Sequence, residues 1–435
     1  MEPLIEMPDE EKPKQTIKEY RKKRLEKGNR HQVEMRMASL DELIPGDHRV
    51  RIVWAMTEMK DLSEFYNGVQ SIEGEAGRPA IDPKILVALW LYATLENVGS
   101  ARELARLCQE HIAYQWIAGN LQINYHTLAD FRVKCEKELD NLLTKDVAAL
   151  MKEGIVELEQ VSQDGMRIRA SAGASSFRRE GKLREMLAQA ENLINDLKQQ
   201  NGDKHNQSER QYAAQKRAAQ EKVERIKKSL EEIEQIKKKR KNSHKKKGEE
   251  KEPRSSTTDP ETRYLRMASG EIRPAYNAQI SMDTKSRIIL DVDMINEVDQ
   301  GQMMPMVEKI YEKYQQYPKE YLVDGGFVTV NDIEATYQKG VKVYSPVIGP
   351  RRPIKDPRKK REAKGSGILA WKERMEEPDA KEKYKVRAAT IEWANALARN
   401  RCLRMLKVRG RSKSRAILLW FALAHNLMQT HNLMA

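Results

Sequence analysis

Leu158-Glu159-Gln160-Val161-Ser162-Gln163-Asp164-Gly165-Met166-Arg167-Ile168-Arg169-Ala170-Ser171-Ala172 is the stretch in which the chain changes period. Upstream the apolar residues recur at helical spacing; here Val161, Gln163 and Gly165 alternate with their neighbours, and residues 166–170 read as a second strand. A hairpin turning near Gly165 is expected, with Asp164 ending its first strand. Strand patterns return beyond residue 264. Residues 275–282 and 287–295 are β-rich runs on either side of Asp283-Thr284-Lys285. A helix follows over 304–314, then a strand over 320–323 that ends at Asp324-Gly325-Gly326, a helix over 330–338 and a strand over 341–347. That order predicts a mixed α/β sheet rather than a helical bundle. A Pro- and charge-rich loop is expected over about 348–380, then helices near 385–399 and 414–429, the last core-facing.

The region before this strand reads as all-α. Asp82-Pro83 combines a capping residue with Pro in the first turn, and leads into the apolar run 85–95. Ser100-Ala101-Arg102-Glu103 is a capping-box pattern with Leu104 and Leu107 on one face, and Thr127-Leu128-Ala129-Asp130 heads a third helix containing Phe131. With Arg102, Arg106, Arg132 and Lys134 outside, such helices suit a helix-turn-helix-like DNA-contacting module. A plain helical adaptor shows the same caps.

Residues 178–251 differ in composition. Leu183, Met186, Leu187, Ala190, Leu193, Ile194 and Leu197 recur at helical spacing, and Val223, Ile226, Leu230, Ile233 and Ile236 resume it after Asn201-Gly202-Asp203. Two antiparallel helices in a coiled-coil hairpin are expected, ending in Lys237-Lys238-Lys239-Arg240-Lys241 and Lys245-Lys246-Lys247. Residues 1–32 carry a second basic run, Lys18, Arg21, Lys22, Lys23, Arg24, Lys27 and Arg30. Both tracts read either as solvated charge or as phosphate contacts.

Composition narrows the function classes. The 435 residues include 79 Lys+Arg against 65 Asp+Glu, a formal net charge of +14, with 39% hydrophobic and 33% charged residues. Length predicts two or three domains with an ample core. The longest apolar runs, 85–95 and 416–423, fall short of the ~20 residues of a membrane span. The acidic start Met1-Glu2-Pro3-Leu4-Ile5-Glu6 lacks the pattern of a secretory signal, so a cytoplasmic protein is expected, nucleoid-associated if it binds DNA. Cys108, Cys135 and Cys402 are far apart and form no CxxC pair, which argues against a disulfide framework and a cysteine zinc site.

A basic protein of this kind directs attention to phosphodiester chemistry, in which two divalent ions can activate the nucleophile and stabilise in-line displacement. Hard Mg²⁺ is held by a few carboxylates. Asp164 and Asp324 stand at predicted strand ends, and Glu392 lies on a helix with basic neighbours. Asp283, Asp291, Asp293 and Asp299 read as turn or surface residues, and His425 with Asn426 as a satisfied core pair.

Several ordered motifs then make a resemblance. In the helical region these are Gly77-Arg78-Pro79-Ala80-Ile81-Asp82-Pro83, Gly99-Ser100-Ala101-Arg102-Glu103-Leu104 and His126-Thr127-Leu128-Ala129-Asp130-Phe131-Arg132. Beyond it are residues 164–172, Thr258-Asp259-Pro260-Glu261, Tyr276-Asn277-Ala278-Gln279 and Asp324-Gly325-Gly326-Phe327. Glu392, Arg399-Asn400-Arg401, Val408-Arg409-Gly410 and Ala422-Leu423-Ala424-His425-Asn426-Leu427 close the series. From about residue 35 to 430 the sequence resembles bacterial insertion-sequence transposases of the DDE type, with an N-terminal helical domain and a ribonuclease-H-like catalytic domain.

Composition marks a basic arm over 1–34 and a basic coiled-coil insertion over 178–251, and the resemblance implies a helical DNA-binding domain over 35–150 and a ribonuclease-H-like catalytic domain over 151–177 and 252–435. It implies that Asp164, Asp324 and Glu392 are the catalytic, metal-binding carboxylates. It further implies metal-dependent cleavage and strand transfer at element ends, with Mg²⁺ as cofactor and Mn²⁺ accepting the same ligands. Double-stranded DNA is the expected partner, bound by a homodimer or larger assembly. DNA contacts are expected from Arg78, Arg102, Arg106, Arg132, Tyr384, Arg387 and Arg399. The Arg387-to-Glu392 spacing is one residue longer than the family's common spacing, and Arg399 stands where the family usually has Lys. A non-transposing ribonuclease-H-like nuclease or inactive copy, and a non-enzymatic coiled-coil DNA-binding protein, are the competing readings.

Overall fold

The computed structural model describes residues 37–71, 78–199, 209–241, 252–347 and 365–434. The basic run of the first 32 residues, the Asn201-Gly202-Asp203 break, Lys245-Lys246-Lys247 and residues 348–364 of the expected loop lie outside the described residues. Residues Leu40–Ala435 form one compact unit.

Among the described residues seven helices open it: α1 (Arg49–Glu58), α2 (Ser63–Tyr66), α3 (Pro83–Leu95), α4 (Ala101–Glu110), α5 (Ile112–Ala118), α6 (Tyr125–Lys134) and α7 (Glu136–Lys152). Their starts follow local chemistry. The Asp82 carboxylate accepts the Lys84 N–H at 2.8 Å ahead of Pro83, and the Ser100 hydroxyl accepts the Glu103 N–H. α3 is buried almost all round, which explains why it is apolar without a polar stripe.

β1 (Gln160–Arg169) is one continuous ten-residue strand, which corrects the expected hairpin at Gly165. Its antiparallel partner comes from far along the chain, and pairing runs unbroken from Val161 to Arg169, straight through Gly165. After β2 (Phe177–Arg179) come α8 (Glu180–Gln199) and α9 (Glu209–Lys241), then β3 (Arg254–Ser256), which pairs with β2. α8 and α9 run antiparallel: Lys237 near the end of α9 pairs with Glu180 at the start of α8, and the Tyr212 hydroxyl donates to the Leu197 carbonyl. Their seam is Leu183, Ala190, Val223, Ile226 and Ile233.

The remaining elements are β4 (Arg263–Arg266), β5 (Ile272–Asp283), β6 (Ile289–Ile295), α10 (Met303–Tyr314), β7 (Glu320–Leu322), α11 (Val330–Gln338), β8 (Lys342–Tyr344), α12 (Ser366–Glu376), α13 (Pro378–Arg387), α14 (Trp393–Asn400) and α15 (Arg411–Met434). The expected loop over 348–380 therefore contains α12 and the start of α13; their charged composition concealed a helix held by buried Ile368 and Trp371. The sheet runs β6-β5-β1-β7-β8, antiparallel among its first three strands and parallel over its last three, with β4 on the same edge of β5 as β6.

α15 joins the helices to the sheet. Its buried span, Ala416–Leu423 onward, packs on β6 and on α3, α6 and α7, and the Trp420 indole N–H donates to the Arg132 carbonyl at 3.0 Å. At its other end Arg415 bonds Asp140 of α7 at 2.7 Å, while Lys313 of α10 bonds Asp140 at 2.7 Å and Asp291 of β6 at 2.8 Å. Asp291 is fully buried, not the surface or turn residue expected; Lys313 and, at 3.9 Å, Arg415 compensate its charge. The α15 N-terminus is capped from a distance. Asp259 accepts the Gly410 N–H at 3.1 Å and the Tyr276 hydroxyl at 2.7 Å, and Glu261 accepts the Arg411 N–H at 3.0 Å. Two carboxylates thus meet the orphan donors and positive end of the helix. Among the described residues no helix is long and apolar enough to cross a membrane.

His425 and Asn426 stitch α15 to β6. The Asn426 amide accepts the Ile289 N–H and donates to its carbonyl, both at 2.8 Å, and His425 Nε2 lies 2.8 Å from the Arg287 carbonyl. Burial pushes the His425 imidazole down to about 4, against an ordinary 6.5. A depressed folded value means that this stability is present above pH 6.5 and is lost as pH falls toward 4. Urea unfolding between pH 7 and pH 4 is expected to show a loss on the order of a few kcal/mol that His425→Gln removes from the pH dependence.

Candidate active site

Strand parity sets the site. On β1, Ser162 and Asp164 face one side of the sheet, while Gln163, Gly165 and Arg167 face the other. β1 and β7 pair in parallel with a constant offset, Gln160 to Glu320, Val161 to Tyr321 and Ser162 to Leu322. The pairing ends at Ser162 and Leu322; Asp164 continues β1 two residues further, and Asp324 follows two residues beyond the end of β7, near enough for its charge to act on Asp164. Asp324 is exposed and accepts its own neighbour's N–H from Gly325 at 2.8 Å.

The third carboxylate arrives from a helix that faces this side. Between α13 and α14 the backbone forms a π-helical turn over Ala388–Glu392. An α-helical turn brings residues three or four apart onto one face, whereas a π turn brings five. The extra residue between Arg387 and Glu392 is absorbed in this way. Arg387 is 8% exposed and bridges two carboxylates, with Nη2 2.9 Å from Asp164 Oδ1 and Nη1 2.7 Å from Glu392 Oε1. The Thr390 and Ser162 hydroxyls meet at 3.2 Å and anchor the turn to β1, and the Asn395 amide donates to Asp164 Oδ2 at 2.8 Å. Glu392 itself is half exposed, free to meet a ligand.

Burial raises the Asp164 carboxyl above the ordinary carboxylate range; Arg387 and the Gly165 N–H oppose the rise, and Asp299 and Asp324 add to it. Tyr384 on α13 is raised first by burial, with Arg387 pulling it down and Asp324, Glu392 and Asp164 pushing it up. Its phenol therefore stays protonated at neutral pH within the field of all three carboxylates.

The opposite face of β1 holds a polar layer that supports the site. Asp299 pairs with Arg167 and accepts the Asn277 amide at 2.7 Å and the Gln279 amide at 3.0 Å. Gln163 donates to Gln279 at 2.8 Å and accepts the Tyr321 hydroxyl at 2.9 Å. Asp299 is thus a largely buried, ion-paired residue and not the surface acid expected. Its place exists because residue 165 has no side chain: a Cβ there would lie 1.9 Å from Asp299 Oδ1 and 2.6 Å from the Gln279 amide nitrogen. A signal was present in the sequence, since Asn277, Gln279 and Ser281 repeat at period two along an otherwise apolar strand.

On the Asp164 side three carboxylates, Asp164, Asp324 and Glu392, are met by one guanidinium, Arg387. The two uncompensated negative charges and the all-oxygen donor set match a hard divalent cation. In this arrangement Arg387 lies between Asp164 and Glu392, and among the described residues no three acidic, His or Cys side chains converge on one point.

The expected DNA-contacting residues are dispersed. Tyr384 and Arg387 belong to the site. Arg399 is exposed at the end of α14, and Arg78 is exposed ahead of α3. Arg102 lies over the Tyr125 ring at 5.1 Å, and Arg106 pairs with Glu110 on its own helix. Arg132, expected outside, is buried: it donates to the Gly99 carbonyl at 2.7 Å and covers the Trp90 ring at 4.4 Å. The helix turns it inward because α15 packs over that side of α6.

Residues 38–134 match the family Transposase domain (DUF772). No curated protein matches the chain. The family match supports a transposition-related role and lies wholly in the helical region, outside the carboxylate site.

Gly165→Ala is expected to lower the urea midpoint by the equivalent of about 1–3 kcal/mol, because the new methyl overpacks the Asp299 layer. Gly181→Ala, on an exposed helical position with nothing near its Cβ, should hold or raise the midpoint.

Proposed function

We propose that the protein is a DDE-type DNA transposase with a ribonuclease-H-like catalytic region, binding element ends and carrying out metal-dependent strand cleavage and strand transfer. The observation that supports the reading is the Arg387 bridge, which joins Asp164 of β1 to Glu392 after the π turn, with Asp324 just beyond β7 near enough for its charge to act on Asp164. The transposase-domain match over residues 38–134 supports it independently. Asp164, Asp324 and Glu392 would hold Mg²⁺. Bound there, the metal would supply activation of the attacking oxygen and neutralisation of charge on the phosphate.

The chain's own groups have separate tasks. The Asn395 amide and the Gly165 N–H fix the orientation of Asp164. Arg387 neutralises Asp164 and Glu392 until substrate arrives and is placed to donate to a phosphate oxygen. Tyr384, protonated, offers an O–H donor beside it. In the first step water attacks the phosphodiester, the P–O3′ bond breaks, and the element end is left with a 3′-hydroxyl. In the second that hydroxyl attacks a target phosphodiester and displaces the target's own 3′-hydroxyl. Two element ends per reaction call for a dimer or larger assembly on DNA.

The test is cleavage and joining of labelled duplexes carrying the element's flanking ends, with Mg²⁺. Asp164→Asn, Asp324→Asn and Glu392→Gln are each expected to cost at least about 100-fold in both steps while end binding persists. Cleavage without joining would select a nuclease. Variants as active as the parent would remove the site assignment.

A further inference from the structure

The segment after α14 is clamped onto the turn between α3 and α4. The Asn97 side-chain oxygen accepts the Cys402 N–H at 2.8 Å and lies 3.2 Å from its Sγ, and Gly99 packs so closely that a Cβ there would lie 2.9 Å from that sulfur. Cys402 itself is held at φ +67°, a left-handed conformation that costs a non-glycine residue free energy. Two cavities, about 220 and 420 Å³, open on either side of this clamp and share Asn97, Cys402 and Met405.

Their charged walls are lopsided. Arg132, Arg399, Arg404 and Lys407 line them, against Glu103 alone. None of these four cations is ion-paired among the described residues. Arg132 is 8% exposed and its Nε has no partner. Burial pulls its guanidinium down to about 10, so it remains charged at neutral pH. Its Nη1 is held by the Gly99 carbonyl and its face by the Trp90 ring, which leaves Nε as a buried donor without an acceptor, costly unless an anion meets it. Glu392 and Arg399 are seven residues apart across the π turn and α14, roughly 10 Å of helix or about three base-pair steps of duplex.

We propose that this groove binds the phosphodiester backbone of duplex DNA adjoining the carboxylate site, with Arg132 as its buried anchor and Arg399, Arg404 and Lys407 on its rim. The inference rests on the transposase reading and adds to it a defined phosphate track.

The test uses the full chain and an element-end duplex. Arg404→Ala/Lys407→Ala alters two exposed residues and should leave the fold and melting temperature unchanged. Fluorescence anisotropy over a salt series is expected to give a dependence of log K on log salt shallower by about 1.8 than the parent's, the loss of two phosphate contacts. In the parent, duplex should slow N-ethylmaleimide alkylation of Cys402, read by peptide mass spectrometry, with Cys135 as internal reference. Both results are required. An unchanged slope, unchanged Cys402 reactivity, or equal protection by inorganic phosphate at matched ionic strength overturns the groove. If the parent still binds and joins ends in that case, the transposase reading stands alone; if the parent binds no duplex, both fall.

Discussion

The pairing of β1 on both of its edges is the constraint on which the rest depends. With β5 antiparallel on one side and β7 parallel on the other, β1 has no freedom to slip, because a shift of one residue would exchange its two faces. One face would then lose Asp164 from Arg387 and the other would lose the gap at Gly165. The site and its support are opposite surfaces of a single register.

Charge distribution follows from that geometry. On the Asp164 face, acidic groups are left in excess and reachable, with Glu392 half exposed and Asp324 at the surface. On the other face Asp299 is fully engaged by Arg167, Asn277 and Gln279. A carboxylate with every lone pair satisfied stiffens a fold, whereas carboxylates left short of partners invite a cation.

The helices and the sheet share one core through α15, whose Trp420 reaches α6 while Asn426 completes the edge of β6. Consequently the Thr258-Asp259-Pro260-Glu261 and Val408-Arg409-Gly410 motifs, distant in sequence, meet at one helix start. That contact gives Asp259 a physical task as a helix cap, for which no chemical step was apparent in the sequence.

Periodicity and capping chemistry, which act within a few residues, were legible in the chain itself. The starts of α3 and α4, the extent of α11, the two-helix pattern of α8 and α9 and the mixed α/β order all follow from them. The resemblance singled out Asp164, Asp324 and Glu392, but nothing local showed that Arg387 bridges Asp164 and Glu392. Contacts between distant segments were decided only by the tertiary structure. Gly165 reads as a turn by its type, yet pairing on both sides keeps it extended. Arg132 reads as surface by its charge, yet α15 covers it. The added residue before Glu392 reads as a mismatch, yet a π turn returns Glu392 to Arg387. In each case local preference amounts to about 1 kcal/mol or less, and burial or pairing with a distant partner outweighs it.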